Sequence, residues 1–144
     1  MYENYTRQSL PAKRYREILG SAICVFNSNN AFLIENILRY DDTGKYDWWH
    51  LIDLESGKLK GSIYHVISSR YGDEIEKLFI NIVNMRNRII HSFPITDENG
   101  ECILATKEKI KDGNHQFRIT EDYLLNFIEL NQQLSDKLHK LRGY

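Results

Sequence analysis

The amino-acid sequence predicts an all-α fold, an antiparallel helical bundle of about four to five helices with a small β-hairpin insertion near residues 100–119. Three observations lead to this prediction. Apolar residues recur every three or four positions over most of the 144-residue chain, which is the spacing of amphipathic helices. Only two prolines interrupt it, Pro11 and Pro94. Hydrophobic residues make up 42% of the chain, enough for the core of one domain, so we treat residues 1–144 as a single domain.

The first predicted helix follows Pro11, a residue that suits a first helical turn, and extends toward Tyr40. A polar run at residues 27–30 predicts either a bend in this helix or a polar face. A loop follows, and a short helix then begins at Asp47. We expect its two tryptophans to anchor this helix to the core; the alternative is that they stack on nucleic-acid bases. These residues are Trp48 and Trp49.

A further helix is predicted over residues 63–71, and a longer one begins at residues 72–73. We expect the longer helix to end near Ser92, because the residue before Pro94 is biased away from helical geometry. A turn signal at residues 97–100 then opens the segment that departs most from helical character.

Residues 102–106 and 115–119 have the composition of two strands and predict a hairpin around residues 111–114. Alternating lysines predict one basic strand edge, which either guides RNA or protects the edge from pairing. These lysines are Lys107, Lys109 and Lys111. The last helix begins after Thr120, a favourable N-terminal cap. Its apolar seam contains one polar position, Asn131, and we expect it to pack in the core; the alternative is a self-association surface.

The composition limits the classes of function. Lys and Arg total 19 and Asp and Glu total 20, so any nucleic-acid contact must come from a local cluster of cations. Cys24 and Cys102 suggest neither a disulfide framework nor a cysteine zinc site. The histidines show no metal-ligand spacing, so we expect no metal and no cofactor. We find neither a signal peptide nor an apolar run of membrane-spanning length, and expect a cytoplasmic protein.

The most informative segment lies at the end of the long helix. Arg86 projects from the centre of an apolar helix face, and His91 lies where Pro94 is about to end that helix. A permanent cation at such a position is paired with a buried carboxylate, such as Glu35 or Asp53, or lies at a subunit interface or in an active site. In a regular helix Arg86 and His91 diverge by about 140°, so a shared site needs a loosened helix end or a second subunit.

The sequence RNRIIH at residues 86–91 resembles the Arg-x4-6-His motif of HEPN domains (higher eukaryote and prokaryote nucleotide-binding). The polar Asn87 after the arginine is also typical of that family. The resemblance implies a metal-independent endoribonuclease that cleaves RNA in the cleft of a homodimer. It implies His91 as the acid/base residue, Arg86 as the phosphate or transition-state stabiliser and Asn87 as the orienting residue. It also implies a toxin with an antitoxin partner, or a phage-defence effector. Arg88 is, from its residue type, either an RNA-binding group that positions a phosphate or a solvated surface arginine.

The residue types suit that chemistry, since RNA carries its own nucleophile, the 2′-hydroxyl. Histidine exchanges a proton near neutral pH, and arginine stabilises negative charge at phosphorus. The chain departs from the HEPN toxins whose motif continues His-x-Tyr, because Phe93 stands at the tyrosine position and offers no hydroxyl to modify. The alternative function is that of a non-catalytic helical dimer, which binds RNA or a nucleotide or acts as a protein adaptor.

Overall fold

The computed structural model describes residues Met1–Gly143, which form a mainly helical fold with one three-stranded antiparallel sheet. This confirms the prediction of a helical fold with a small β insertion. No helix among these residues is long and apolar enough to cross a membrane. The helices are α1 (Lys13–Tyr40), α2 (Trp48–Asp53), α3 (Lys60–Ile63), α4 (Ser69–Tyr71), α5 (Glu74–Ile90) and α6 (Glu121–Leu141). The strands are β1 (Phe93–Thr96), β2 (Cys102–Lys107) and β3 (Gln116–Arg118).

Short turns link several helices. A 3₁₀ turn over Ser56–Leu59 precedes α3, and a π-helical turn over Tyr64–Ser68 joins α3 to α4, so residues 56–71 form one helical stretch. The predicted helix over residues 63–71 is therefore confirmed as part of a longer one. Another 3₁₀ turn, Ile110–Asp112, lies between β2 and β3.

Helix α1 continues without a break through the polar run at residues 27–30. One member of the run, Asn29, is buried against α6. Its side-chain nitrogen donates to the backbone oxygen of Asn131 at 2.7 Å and to the Asn131 side-chain oxygen at 3.0 Å. The polar position in the α6 seam is thus a core residue, as predicted.

Hydrogen bonds at both ends fix the direction of α1 relative to α6. The Tyr15 hydroxyl donates to the backbone oxygen of Ile119, and the Tyr40 hydroxyl donates to that of Leu141. These two helices are therefore parallel, whereas α5 runs antiparallel to α6. Residues 41–71 return the chain to the end of the bundle where α1 finishes, so α5 starts there and α6 starts at the opposite end. The predicted antiparallel arrangement consequently holds for α5 and α6 but is wrong for α1 and α6.

Strand β2 lies in the middle of the sheet, between β1 and β3. The predicted hairpin is confirmed by β2 and β3, in which Thr106 pairs with Phe117. Strand β1 was not predicted, because Pro94 lies within it; proline is tolerated there since β1 is an edge strand. The predicted basic strand edge is wrong, because of the three lysines only Lys107 belongs to a strand. Lys109 precedes the 3₁₀ turn Ile110–Asp112, and Lys111 lies within that turn.

Three stacked phenylalanines form the centre of the core. Phe26 of α1 lies 6.4 Å from Phe79 of α5 and 6.2 Å from Phe127 of α6, measured between ring centroids. The tryptophans of α2 differ from each other: Trp48 packs against the core, as predicted, but Trp49 is 79% exposed. The prediction that both residues anchor α2 is wrong for Trp49.

Replacing Asn131 with leucine is expected to lower the free energy of unfolding by about 1–3 kcal/mol, because it removes a buried amide pair. Urea denaturation measures this effect. The control is Gln132→Leu, at an exposed position on the same helix, which should change stability by less than about 0.5 kcal/mol. Equal losses in the two variants would contradict the role assigned to the pair.

The stability of the protein should fall as the pH rises from 10 toward 12. Burial raises the pKa of Tyr15 to about 12. In this window the unfolded chain has lost the phenol proton while the folded chain retains it, so folding becomes less favourable as the pH rises. Below pH 10 the full contribution is present. Urea denaturation across this range should show a steeper loss in the wild type than in Tyr15→Phe, which lacks the titrating group.

Candidate functional site

Helix α5 carries the sequence motif and remains regular up to Ile90. His91 is its C-terminal cap, with its backbone N–H donating to the Asn87 oxygen at 3.0 Å. The Ser92 hydroxyl donates to the Ile89 oxygen at 2.6 Å and closes the helix end, two residues before Pro94. The helix thus ends close to the predicted position. Because it does not loosen earlier, Arg86 and His91 lie about 140° apart around the axis and do not meet within one chain.

Arg86 is half-buried and contacts an aromatic ring and a hydroxyl. Its guanidinium carbon lies 5.1 Å from the centroid of the Phe26 ring, and one of its terminal nitrogens donates to the Ser56 hydroxyl at 3.3 Å. That hydroxyl in turn donates to the Asn30 side-chain oxygen at 3.0 Å. The charge of Arg86 is therefore stabilised by one cation–π contact and one neutral hydrogen-bond acceptor.

The predicted carboxylate partners do not reach this guanidinium. Glu35 and Asp53 are both exposed, and within Met1–Gly143 no carboxylate forms an ion pair with Arg86. The alternative of a buried Arg86–carboxylate pair is therefore wrong. An anion that approached this guanidinium would therefore not have to displace an acidic partner.

The His91 side chain is exposed at the end of α5. Across the described part of the chain, its imidazole has neither a hydrogen bond nor an ion pair. An unengaged, solvent-accessible imidazole can approach a bound substrate from the helix end without first breaking a contact. Ile90, next to it, is an apolar residue that is 50% exposed.

Asn87 and Arg88 face two adjoining clefts. Asn87 is half-buried and lines a cleft of about 230 Å³ together with Ser56 and Lys60. Arg88 lines a larger cleft of about 440 Å³, which lies between α5, the 3₁₀ turn Ile110–Asp112 and the start of α6. Lys109 and Asn84 line both clefts.

Several of these residues were not predicted as part of a site. The Lys109 ammonium lies 3.4 Å from the Asn84 side-chain oxygen, which brings the hairpin insertion against α5. Burial raises the pKa of Tyr123, and the nearby charge of Arg88 opposes this shift. Sequence spacing could not reveal these neighbours, because they come from α5, α6 and the insertion. Within residues 1–143, no group of three or more His, Cys, Asp and Glu side chains could hold a metal ion.

The two motif residues should differ in their effect on stability. Arg86→Ala is expected to lower the free energy of unfolding by about 1–2 kcal/mol, because it removes the contact with Phe26. His91→Ala should change it by less than about 0.5 kcal/mol, since the exposed side chain has no hydrogen bond or ion pair in the described chain to lose. Urea denaturation tests both variants. Arg39→Ala, at an exposed arginine on α1, shows the effect of truncation alone; a loss there equal to that of Arg86→Ala would contradict this account.

Comparison with known proteins does not supply a relative for this site. No family model, no curated protein and no solved structure matches the chain. The resemblance to HEPN domains therefore rests on residues 86–91 and on the helical arrangement around them, and the activity that it implies is a proposal.

Proposed function

We propose that this protein is a metal-independent endoribonuclease of the HEPN type, which cleaves RNA at a composite site in a homodimer cleft. The observation that carries the proposal is Arg86, a half-buried cation with no acidic partner in the described chain, on the same helix as the unengaged imidazole of His91. An anion-seeking group and a proton-exchanging group are the two requirements of phosphodiester cleavage without a metal. A toxin or a phage-defence effector is the biological role that we assign to this activity.

The reaction uses the 2′-hydroxyl of RNA as the nucleophile. His91 of one chain removes its proton, the 2′-oxygen forms a bond to phosphorus, and the bond from phosphorus to the 5′-oxygen breaks. The 5′-oxygen takes a proton from the protonated His91 of the second chain, which leaves a 2′,3′-cyclic phosphate and a 5′-hydroxyl. Arg86 stabilises the extra negative charge at phosphorus, Asn87 orients the imidazole, and Arg88 contacts a neighbouring phosphate.

The homodimer is a requirement of this proposal, because one chain does not bring Arg86 and His91 together. Asn87, Ile90 and His91 occur at positions i, i+3 and i+4 and share one face at the end of α5. Ile90 is the exposed apolar residue of that face. We propose that a second α5 covers this residue, in a dimer contact that brings Arg86 of one chain toward His91 of the other.

A non-catalytic helical dimer, acting as an RNA- or nucleotide-binding module or a protein adaptor, is the second candidate. It is favoured by the contacts of Arg86 with Phe26 and Ser56, which give the arginine a structural role inside its own chain. In that case His91 has no chemical part, and its substitution leaves every activity of the protein unchanged.

The wild-type protein should cleave single-stranded RNA in the presence of EDTA and leave cyclic phosphate ends. Arg86→Ala and His91→Ala should each reduce the cleavage rate by about 100-fold or more, because each removes one of the two chemical groups. Gel analysis of a labelled RNA measures the rate, and phosphatase sensitivity identifies the ends.

The matched control is His50→Ala, at an exposed histidine on α2, which should cleave like the wild type. Light scattering should give about twice the chain mass of 17.1 kDa at the concentration of the assay. Cleavage that survives both motif substitutions, cleavage that requires a divalent metal, or an active monomer would each refute the proposal.

A further inference from the structure

The larger cleft combines aromatic and cationic side chains from four parts of the chain, which form three walls. It has a volume of about 440 Å³, which lies within the range of small-molecule sites. Helix α5 forms one wall, and the segment that contains the 3₁₀ turn Ile110–Asp112 forms the second. Strand β3 and the start of α6 form the third. Its lining includes Asn84, Arg88, Lys109, Lys111, Phe117 and Tyr123.

The third wall is aromatic. The rings of Phe117 and Tyr123 lie 5.8 Å apart between centroids, with their planes tilted by 48°. Both side chains are half-buried, so each leaves part of its surface open to the cleft. Paired aromatic surfaces of this kind accept a flat ring by stacking, and a nucleobase is such a ring, which carries a negative phosphate with it in a nucleotide.

The opposite walls carry three cations. Arg88, Lys109 and Lys111 outnumber the two carboxylates of the cleft, Glu108 and Asp112, so the net charge favours an anion. Arg88 is anchored by donating to the Lys107 backbone oxygen, which directs a fixed positive charge along the wall. The carboxylates can accept hydrogen bonds from the amino groups of a base.

One buried polar atom in the wall of the cleft, the Nε of Arg88, lacks a partner in the described chain. A buried polar atom without a partner is costly, and a water or a ligand commonly supplies the missing bond at such a position.

We propose that this cleft binds a nucleoside phosphate, with the base against Phe117 and Tyr123 and the phosphate at Lys109 and Lys111. The proposal deepens the proposed function, because it names a subsite for one nucleotide beside the cleavage motif on α5. Arg88 joins the two, since it follows Asn87 directly and lines this cleft. The nucleotide comes either from an RNA strand or from a free pool, and the binding experiment separates these sources.

Isothermal titration calorimetry of the full chain tests the site with inorganic phosphate, a nucleoside monophosphate and a tetraribonucleotide. To keep the RNA intact, the protein carries His91→Ala, which leaves the cleft unchanged. The monophosphate should bind at least about tenfold more tightly than inorganic phosphate, because stacking adds to the charge interaction. If the tetraribonucleotide binds at least about tenfold more tightly than the monophosphate, the source is RNA. If the tetraribonucleotide and the monophosphate bind with equal affinity, the source is a free nucleotide.

Two substitutions locate the binding. Phe117→Leu keeps an apolar side chain and should weaken nucleotide binding about fivefold or more without affecting phosphate. Lys111→Ala, at an exposed position, should weaken both ligands, whereas Lys13→Ala at the start of α1 should weaken neither. Equal affinities for phosphate and monophosphate, or no binding of either nucleotide ligand, would overturn the proposal. So would unchanged affinities in both cleft variants.

The outcomes separate this proposal from the ribonuclease proposal. Nucleotide binding that depends on Phe117 and Lys111, in a protein that cleaves no RNA, would support the cleft and refute the activity. Cleavage that depends on Arg86 and His91, in a protein whose cleft binds no nucleotide, would support the activity and refute the cleft.

Discussion

The parallel packing of α1 against α6 determines where the other elements lie. The buried pair of Asn29 and Asn131 holds these helices in one register, because sliding either helix would leave buried amides without partners. Apolar contacts alone tolerate several registers of two helices, whereas a buried polar pair tolerates one. Helix α5 then fills the groove beside them, with Phe79 stacked on Phe26. The position of the motif on α5 follows from this stack.

The same stack explains how a cation lies at the edge of the core. Phe26 contacts Phe79 on one side and the Arg86 guanidinium on another, so one ring serves both the core and the charge. The ring face and the Ser56 hydroxyl offer only partial negative charge. A full anion that reached the guanidinium would satisfy it better than either neighbour, which is why this residue, rather than one of the exposed arginines, supports a role in binding phosphate.

The sequence predicted the elements that have local signals and missed those that depend on distant partners. Thr120 caps α6 by accepting a bond from the Tyr123 N–H, and Asp47 caps α2 in the same way. Caps of this kind can be recognised in a sequence because the donor N–H lies only three residues after the cap residue. Strand β1 has no such local signal. It forms because it pairs with β2, although Pro94 within it disfavours a strand. The parallel direction of α1 and α6 likewise depends on the path of residues 41–71, which no periodicity encodes.

The same distinction between local signals and distant partners applies to the candidate site. The motif from Arg86 to His91 could be found because its residues are close in sequence, but the cleft beside it could not. Lys109 approaches Asn84 only because β2 leads the chain back across α5. A site assembled by tertiary contacts leaves no periodic signature in any one of its segments, so only the structure could reveal it.

The regularity of α5 sets the strongest constraint on function. Because the helix stays intact to Ile90, its regular advance of about 100° per residue places Arg86 and His91 about 140° apart around the axis. In the proposed dimer two copies would meet at the exposed Ile90 face, and each chain would contribute the group that the other directs away. The proposed chemistry and the proposed dimer are therefore one hypothesis, and the geometry of a single helix links them.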